Sequence, residues 1–177
     1  MSSAVVYEGA KVLRGRHHLL FAVSLGNATR VHMSVIPAKY RVTGDRVVVV
    51  RADKFLALWR SDPRDSHRTL SHGTPESWRQ YYKYQRAAEG FARGATDPVP
   101  LAEVSCEVDP RPTKQSSAVA YALFSNGITR TIWLLSHGCE AFPVLSPPPD
   151  ADLLHESAGL SAYTFNELKS LPVASAL

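Results

Sequence analysis

Two cysteines in 177 residues, Cys106 and Cys139, leave the chain without a disulfide framework, and a reduced, cytoplasmic setting is the expectation. Long apolar runs are missing as well. The longest, Val47-Val48-Val49-Val50 and Ile132-Trp133-Leu134-Leu135, fall far short of the roughly 20 residues a membrane span needs. The opening MSSAVVYEGAK has no basic head before an apolar stretch, so a secretory signal is not expected. No Walker-type loop and no Gly-x-Ser-x-Gly elbow is present, which excludes those two kinds of hydrolytic machinery. Neither sign of charge dominates. Twenty Lys and Arg stand against 16 Asp and Glu, and the net +4 permits an anionic partner without demanding one.

What is present suits one globular domain. The runs RVHMSVI (30–36) and DRVVVVRA (45–52) are rich in β-branched residues and parted by Pro37 and a Thr-Gly-Asp turn, so both predict strands. DKFLALWRSD (53–62) spaces Phe55, Leu56 and Trp59 as a helix, with Asp53 as N-cap and Pro63 closing it. A loop is expected over 61–73. One helix is predicted over 74–94, with Thr74 as cap, Pro75 at the first helical position and Gly94 as terminator. Strands are expected over 97–108 and 118–124, separated by the polar loop 109–117. A helix then follows Gly127, a short strand covers 140–144, and Pro147-Pro148-Pro149 leads into two short helices. The second of these carries Thr164 and Glu167 at capping-box spacing. The order predicts a single α+β domain with a small mixed sheet and packed helices. An N-terminal β extension takes residues 1–45, a core 46–146 and a C-terminal helical tail 147–177.

The stretch ALFSNGITRTIWLLSHGCEAFPV (122–144) carries the chemistry. A strand runs to Phe124, Asn126-Gly127 allows a tight turn, and a helix begins with Ile128, Ile132 and Leu135 on one face and Gly138 as its stop. Its free N–H groups at 127–130 face whatever lies beyond the helix start, where the dipole favours an anion. Arg130 in the first turn opposes that dipole. Either it is a surface arginine beside an ordinary cap, or a bound phosphate resolves the conflict, with Thr129 or Thr131 as extra donors.

The 74–94 helix puts Trp78, Tyr81, Tyr84, Ala88 and Phe91 on one arc and Arg79, Lys83, Arg86 and Arg93 on another. The basic stripe fits a phosphate backbone, and the same pattern also fits an aromatic core face with a solvated basic face. Glu89 lies near the stripe, as a metal-binding or general-base carboxylate or as a salt-bridge partner of Arg86 or Arg93. His17, His18, His67 and His72 lack carboxylate or thiol partners at metal-ligand spacing and read as loop and edge residues. Cys106 and Cys139 read as small buried thiols.

The phrase F-x-N-G-x-x-R-x-x-W-L-x-x-x-G-x-x-x-F-P-V resembles the signature of the ParB/sulfiredoxin superfamily, in which a Gly-x-x-Arg turn opens a helix. VVVVRADKFLALW and DPVPLAEV extend the likeness over roughly residues 46–145. FSNGITRTIWLLSHGCEAFPV is most similar to the plasmid fertility-inhibition branch, whose members block conjugative DNA transfer. The resemblance implies phosphate binding at Gly127 and Arg130, with Asn126 beside them and Lys54 as a further contact, and Thr129 and Thr131 join them as the donors read from the helix start. The sulfiredoxin Cys and His are replaced by Ile128 and Thr129, which removes sulfinic-acid repair. The resemblance further implies an ATP-binding ATPase with DNase activity, for which Mg is the expected metal, with Arg130 at the centre and Glu89, from its place near the basic stripe, as the carboxylate. DNA, as a single-stranded transfer intermediate, would meet Arg79, Lys83, Arg86 and Arg93. The alternative is a non-catalytic inhibitor that docks on the coupling ATPase of a type IV secretion system, cytoplasmic or held at the inner membrane by that partner. A ParB-like DNA-binding adaptor is more distant.

Overall fold

The Val47–Val50 run organises the structure, a computed structural model that describes residues 3–40, 44–64, 67–109 and 119–177. All four valines are fully buried, as β-branched residues are when a strand is covered on both faces. Their strand, β4 (Arg46–Arg51), lies inside a five-stranded sheet together with β6 (Ala102–Val108), β7 (Ala120–Asn126), β8 (Ala141–Ser146) and β9 (Gly159–Thr164). The order is β7-β6-β8-β4-β9, antiparallel except between β6 and β8.

A second five-stranded sheet draws on both ends of the chain and on one short strand from its middle. It contains β1 (Val5–Leu13), β2 (Arg16–Ser24), β3 (Arg30–Val35), β5 (Val99–Pro100) and β10 (Ser175–Ala176), in the order β10-β1-β2-β3-β5. The β1–β2 hairpin turns on Arg14 and Gly15, both at positive φ (50° and 72°), the geometry of a two-residue turn that follows strand twist. The hairpin lies within residues 1–45, and Val5, Tyr7 and Gly9 alternate inward as a strand requires.

Seven α-helices among the described residues fill in the layers. They are α1 (Ala52–Arg60), α2 (Arg68–Ser71), α3 (Pro75–Arg79), α4 (Tyr84–Ala92), α5 (Ile128–Ser136), α6 (Asp150–Ala158) and α7 (Phe165–Ser170). The α+β class is as expected, with two mixed sheets rather than one small one. One core joins both sheets, and a satellite of Trp59, Leu70, Trp78 and Ile132 ties α1, α2, α3 and α5 together. Each fully buried aliphatic side chain there contributes about 1.5–3 kcal/mol.

Several local expectations change. Arg51, not Asp53, is the N-cap of α1, because the Ala52 N–H is taken by the Glu140 carbonyl at 2.9 Å. The 61–73 loop contains α2, whose Leu70 carbonyl accepts the buried Trp78 indole N–H at 2.7 Å. The 74–94 helix is broken at residues 80–83. The break lets Trp78 enter the satellite cluster while Phe91 stacks on Trp133, with ring centroids 4.3 Å apart. The 97–108 strand divides at Leu101, whose N–H bonds Ser34 O at 3.0 Å as the chain passes from one sheet to the other. The described strand β7 continues to Asn126, and residues 110–117 of the polar loop lie outside the described residues. Residues 147–177 hold the two expected helices and also β9 and β10, one strand in each sheet. Thr164 and Glu167 form the expected reciprocal cap.

Candidate phosphate-binding cleft

Strand β7 ends at Asn126, and Gly127 turns the chain into α5 with φ +103°. Only glycine suits this position. A Cβ would lie 2.6 Å from Ala102 Cβ, 2.7 Å from Ala102 Cα and 2.7 Å from Arg130 Nε. The first helical bond runs from Thr131 N–H to Gly127 O at 3.1 Å, so the N–H groups of Ile128, Thr129 and Arg130 precede the helical ladder. No side chain caps this start, and no acid lies in its first turn.

Arg130 folds back over that turn. Its Nε and Nη2 are buried and have no hydrogen-bond partner. Burial lowers its pKa, and the nearby Glu103 and Tyr40 act in the opposite direction. Glu103 is already engaged, because the Tyr40 hydroxyl donates to its Oε1 at 2.8 Å. Burial and that bond push the Tyr40 phenol up to about 12, so it stays a donor. Leaving buried donors unpaired costs about 1–3 kcal/mol. An anion at this position would remove that penalty.

The turn opens into a cleft of about 530 Å³. Asn126, Gly127, Thr129 and Arg130 line one side, and Lys83, Arg86 and Arg93 line another, so two separately predicted sites share one space. The N-terminal region supplies His18, Lys39 and Tyr40. Burial, followed by Lys39 and Arg16, lowers the His18 pKa, and its Nδ1 lies 2.9 Å from Ser34 Oγ. Asp97 is the acid among the described lining residues, and it is held by Arg14 at 3.0 Å and Arg93 at 3.1 Å. The cleft is strongly cationic.

Other predicted residues lie elsewhere. The Thr131 side chain is buried and gives its hydroxyl to Gly127 O at 3.1 Å, so it braces the turn. Arg79 reaches the other end of α5 and donates to Ser136 O at 3.1 Å, a cation at a helix C-terminus. Lys54 is exposed in the first turn of α1 and does not line the cleft. Glu89 is exposed on α4, also outside the lining, and among the described residues Arg93 pairs with Asp97 instead. No group of three or more His, Cys, Asp or Glu among the described residues is placed to hold a metal ion. Both cysteines are buried free thiols, pushed up by burial to about 11 for Cys106 and about 12 for Cys139.

Sequence reasoning missed Tyr40, Lys39, His18 and Glu103. They come from elements far apart in the chain, and only the packing of the N-terminal sheet against the α5 turn brings them together. Glu103 carried no signal of its own, because it alternates with Ser105 and Glu107 on the polar side of β6.

Residues 47–159, from β4 to the first residue of β9, match the family Plasmid Fertility inhibition factor. Protein osa of Shigella flexneri is 42% identical over 81 residues, which are 45% of this chain and 39% of that protein. The chain therefore matches well under half the length of that curated relative. A crystal structure of the Oncogenic Suppression Activity Protein, a plasmid fertility inhibition factor, in its gold(I) cyanide derivative shares the fold. The TM-score is 0.71 at 24% identity, covering 92% of this chain and 82% of that one. The family match takes in β4, the basic helix α4 and the whole Gly127–Arg130 turn, and the chain belongs to the plasmid fertility inhibition factor family.

Proposed function

We propose that this chain inhibits conjugative DNA transfer by binding rather than by hydrolysis. It docks on the coupling ATPase of a type IV secretion system, in the cytoplasm at the inner membrane, and its cleft holds a phosphate-bearing ligand at that junction. The observation that carries the reading is the Arg130 guanidinium, with Nε and Nη2 buried and unpartnered in a cleft whose other walls are cationic. Gly127 lets the backbone approach a phosphate closely, the first-turn N–H groups and Thr129 add donors, and Lys83 and Arg86 supply charge. Family membership supports the biological role.

A second reading, an ATPase with DNase activity, draws on the same cleft. The residues fit the phosphates of ATP, and a divalent metal such as Mg would arrive with them. The carboxylate assigned to its chemistry, Glu89, stands outside the cleft, so the geometry supports phosphate binding further than it supports a hydrolytic step. The superfamily likeness to ParB and sulfiredoxin stays part of this reading.

The test combines purified protein, the soluble part of a coupling ATPase, and mating frequencies. The parent protein is expected to bind the ATPase and lower transfer while leaving DNA intact in the presence of ATP and Mg. Arg130→Ala should keep the ATPase complex and lose about 1.5–3 kcal/mol of binding to the phosphate ligand. ATP-dependent DNA degradation by the parent, abolished in Arg130→Ala, would establish the hydrolytic reading in its place.

A further inference from the structure

We propose that Tyr82, next to the cleft-lining Lys83, is a base-stacking platform for a single nucleic-acid strand whose backbone lies in the cleft. This rests on the phosphate-binding reading above and narrows it to one ligand class.

The break between α3 and α4 creates the platform. Tyr82 lies within residues 80–83 and is 76% exposed, the most exposed large hydrophobic side chain among the described residues. A single exposed aromatic is ordinary on a protein surface. This one differs because its position is fixed. Its ring meets Tyr81 edge-on, with centroids 4.8 Å apart, and Tyr81 is itself packed against the Trp59–Trp78 cluster. Lys83 Nζ lies over one face of the Tyr82 ring, 5.2 Å from its centroid, so a base would stack on the opposite face, and Lys83 itself lines the cleft. An oriented aromatic face therefore sits next to the first cation of the track.

Charge then selects the ligand. Lys83 and Arg93 flank α4 at its two ends and Arg86 lies between them, all three lining the cleft. Lys83 to Arg93 spans roughly 15 Å of helical rise. Phosphates spaced along a chain reach both ends, whereas the clustered phosphates of one nucleotide meet only part of the track. In a duplex the bases are already paired and stacked, so a protruding phenol ring gains a partner only from an unstacked base. Backbone in the cleft and a base on the ring describe a single strand.

The experiment uses the full chain and fluorescein-labelled strands of equal length, one oligothymidine and one wholly abasic, followed by anisotropy over a salt series. The parent should bind oligothymidine more tightly than the abasic strand, by roughly 5- to 100-fold. Tyr82→Ala should erase that difference while leaving abasic binding and the salt slope unchanged, and Tyr82→Phe should retain it. Oligothymidine binding by Tyr82→Ala equal to the parent's overturns the platform. Failure of the parent to bind either strand overturns the single-strand assignment, and failure to bind ATP as well overturns the phosphate-cleft reading itself. If ATP binding weakens in Tyr82→Ala while both strands are unaffected, the ligand is a mononucleotide and the single-strand assignment falls.

Discussion

Helices α1 and α5 both begin where a strand of the same sheet ends, after β4 and β7, and their first turns are built in opposite ways. In α1 the protein completes its own helix start. The Ala52 N–H bonds Glu140 O, Asp53 sets a carboxylate at the positive end of the dipole, and Arg51 lies 3.4 Å from that carboxylate. In α5 the start is left open. Gly127 offers no side chain, no acid enters the first turn, and the nearest charge is a half-buried arginine with unpaired donors. Two βα junctions in one sheet thus show what an ordinary start looks like and what a start held open for an anion looks like.

The largest expected effect comes from Gly127→Ala. The positive φ and the 2.6 Å approach to Ala102 Cβ together predict a loss of about 2–4 kcal/mol in chemical denaturation. The matching N-cap change in α1, Arg51→Ala, should stay within about 1 kcal/mol, because its ion pair is exposed. Equal losses at the two positions would erase the contrast between the junctions.

Arg130→Met separates a ligand residue from a structural one. If the guanidinium waits for an anion, removing it relieves buried unpaired donors, and the ligand-free protein should be as stable as the parent or more so. With saturating oligonucleotide the order should reverse, because only the parent gains the full binding term in thermal melts. A loss of about 3–5 kcal/mol without ligand would mean that Arg130 is paired with Glu103 and Tyr40 as part of the fold.

How much of this was legible depends on how local the signal was. The α5 turn was, because Gly127 and Arg130 sit three residues apart and one opposes the dipole the other opens. The capping box at Thr164 and Glu167 was legible for the same reason. The split of 74–94 was not. Helical periodicity runs through 80–83 unbroken, and only the need to seat Trp78 and Phe91 on different neighbours ends the first helix. Arg79 shows the same limit. It shares helical phase with Lys83, yet the break turns it toward Ser136 O and away from the cleft. The wall formed by His18, Lys39 and Tyr40 depends on the pairing of β3 with β5, a contact between distant segments with no short-range trace.

The smallest expected effect tests the α1 side of the comparison, through Asp53→Asn. The side chain is 64% exposed, so its dipole interaction falls at the low end of about 0.3–1 kcal/mol and is screened further by salt. Slight burial pushes the Asp53 carboxyl up, and the Lys54 N–H and Arg51 guanidinium more than offset this, leaving it below its ordinary value. A group depressed in the folded state contributes stability above its unfolded pKa of about 3.9, and that contribution is lost as pH falls through the lower folded value. Between pH 5 and 7, roughly, the variant should therefore trail the parent by a small constant amount in urea denaturation. Below about pH 4 the two curves should converge as the carboxyl takes up its proton in both states. Oligonucleotide binding should be unchanged throughout, since Asp53 lies outside the cleft. A binding defect in Asp53→Asn comparable to that of Arg130→Ala would mean that α1, with Lys54, also meets the ligand, and that both helix starts in this sheet serve the same site.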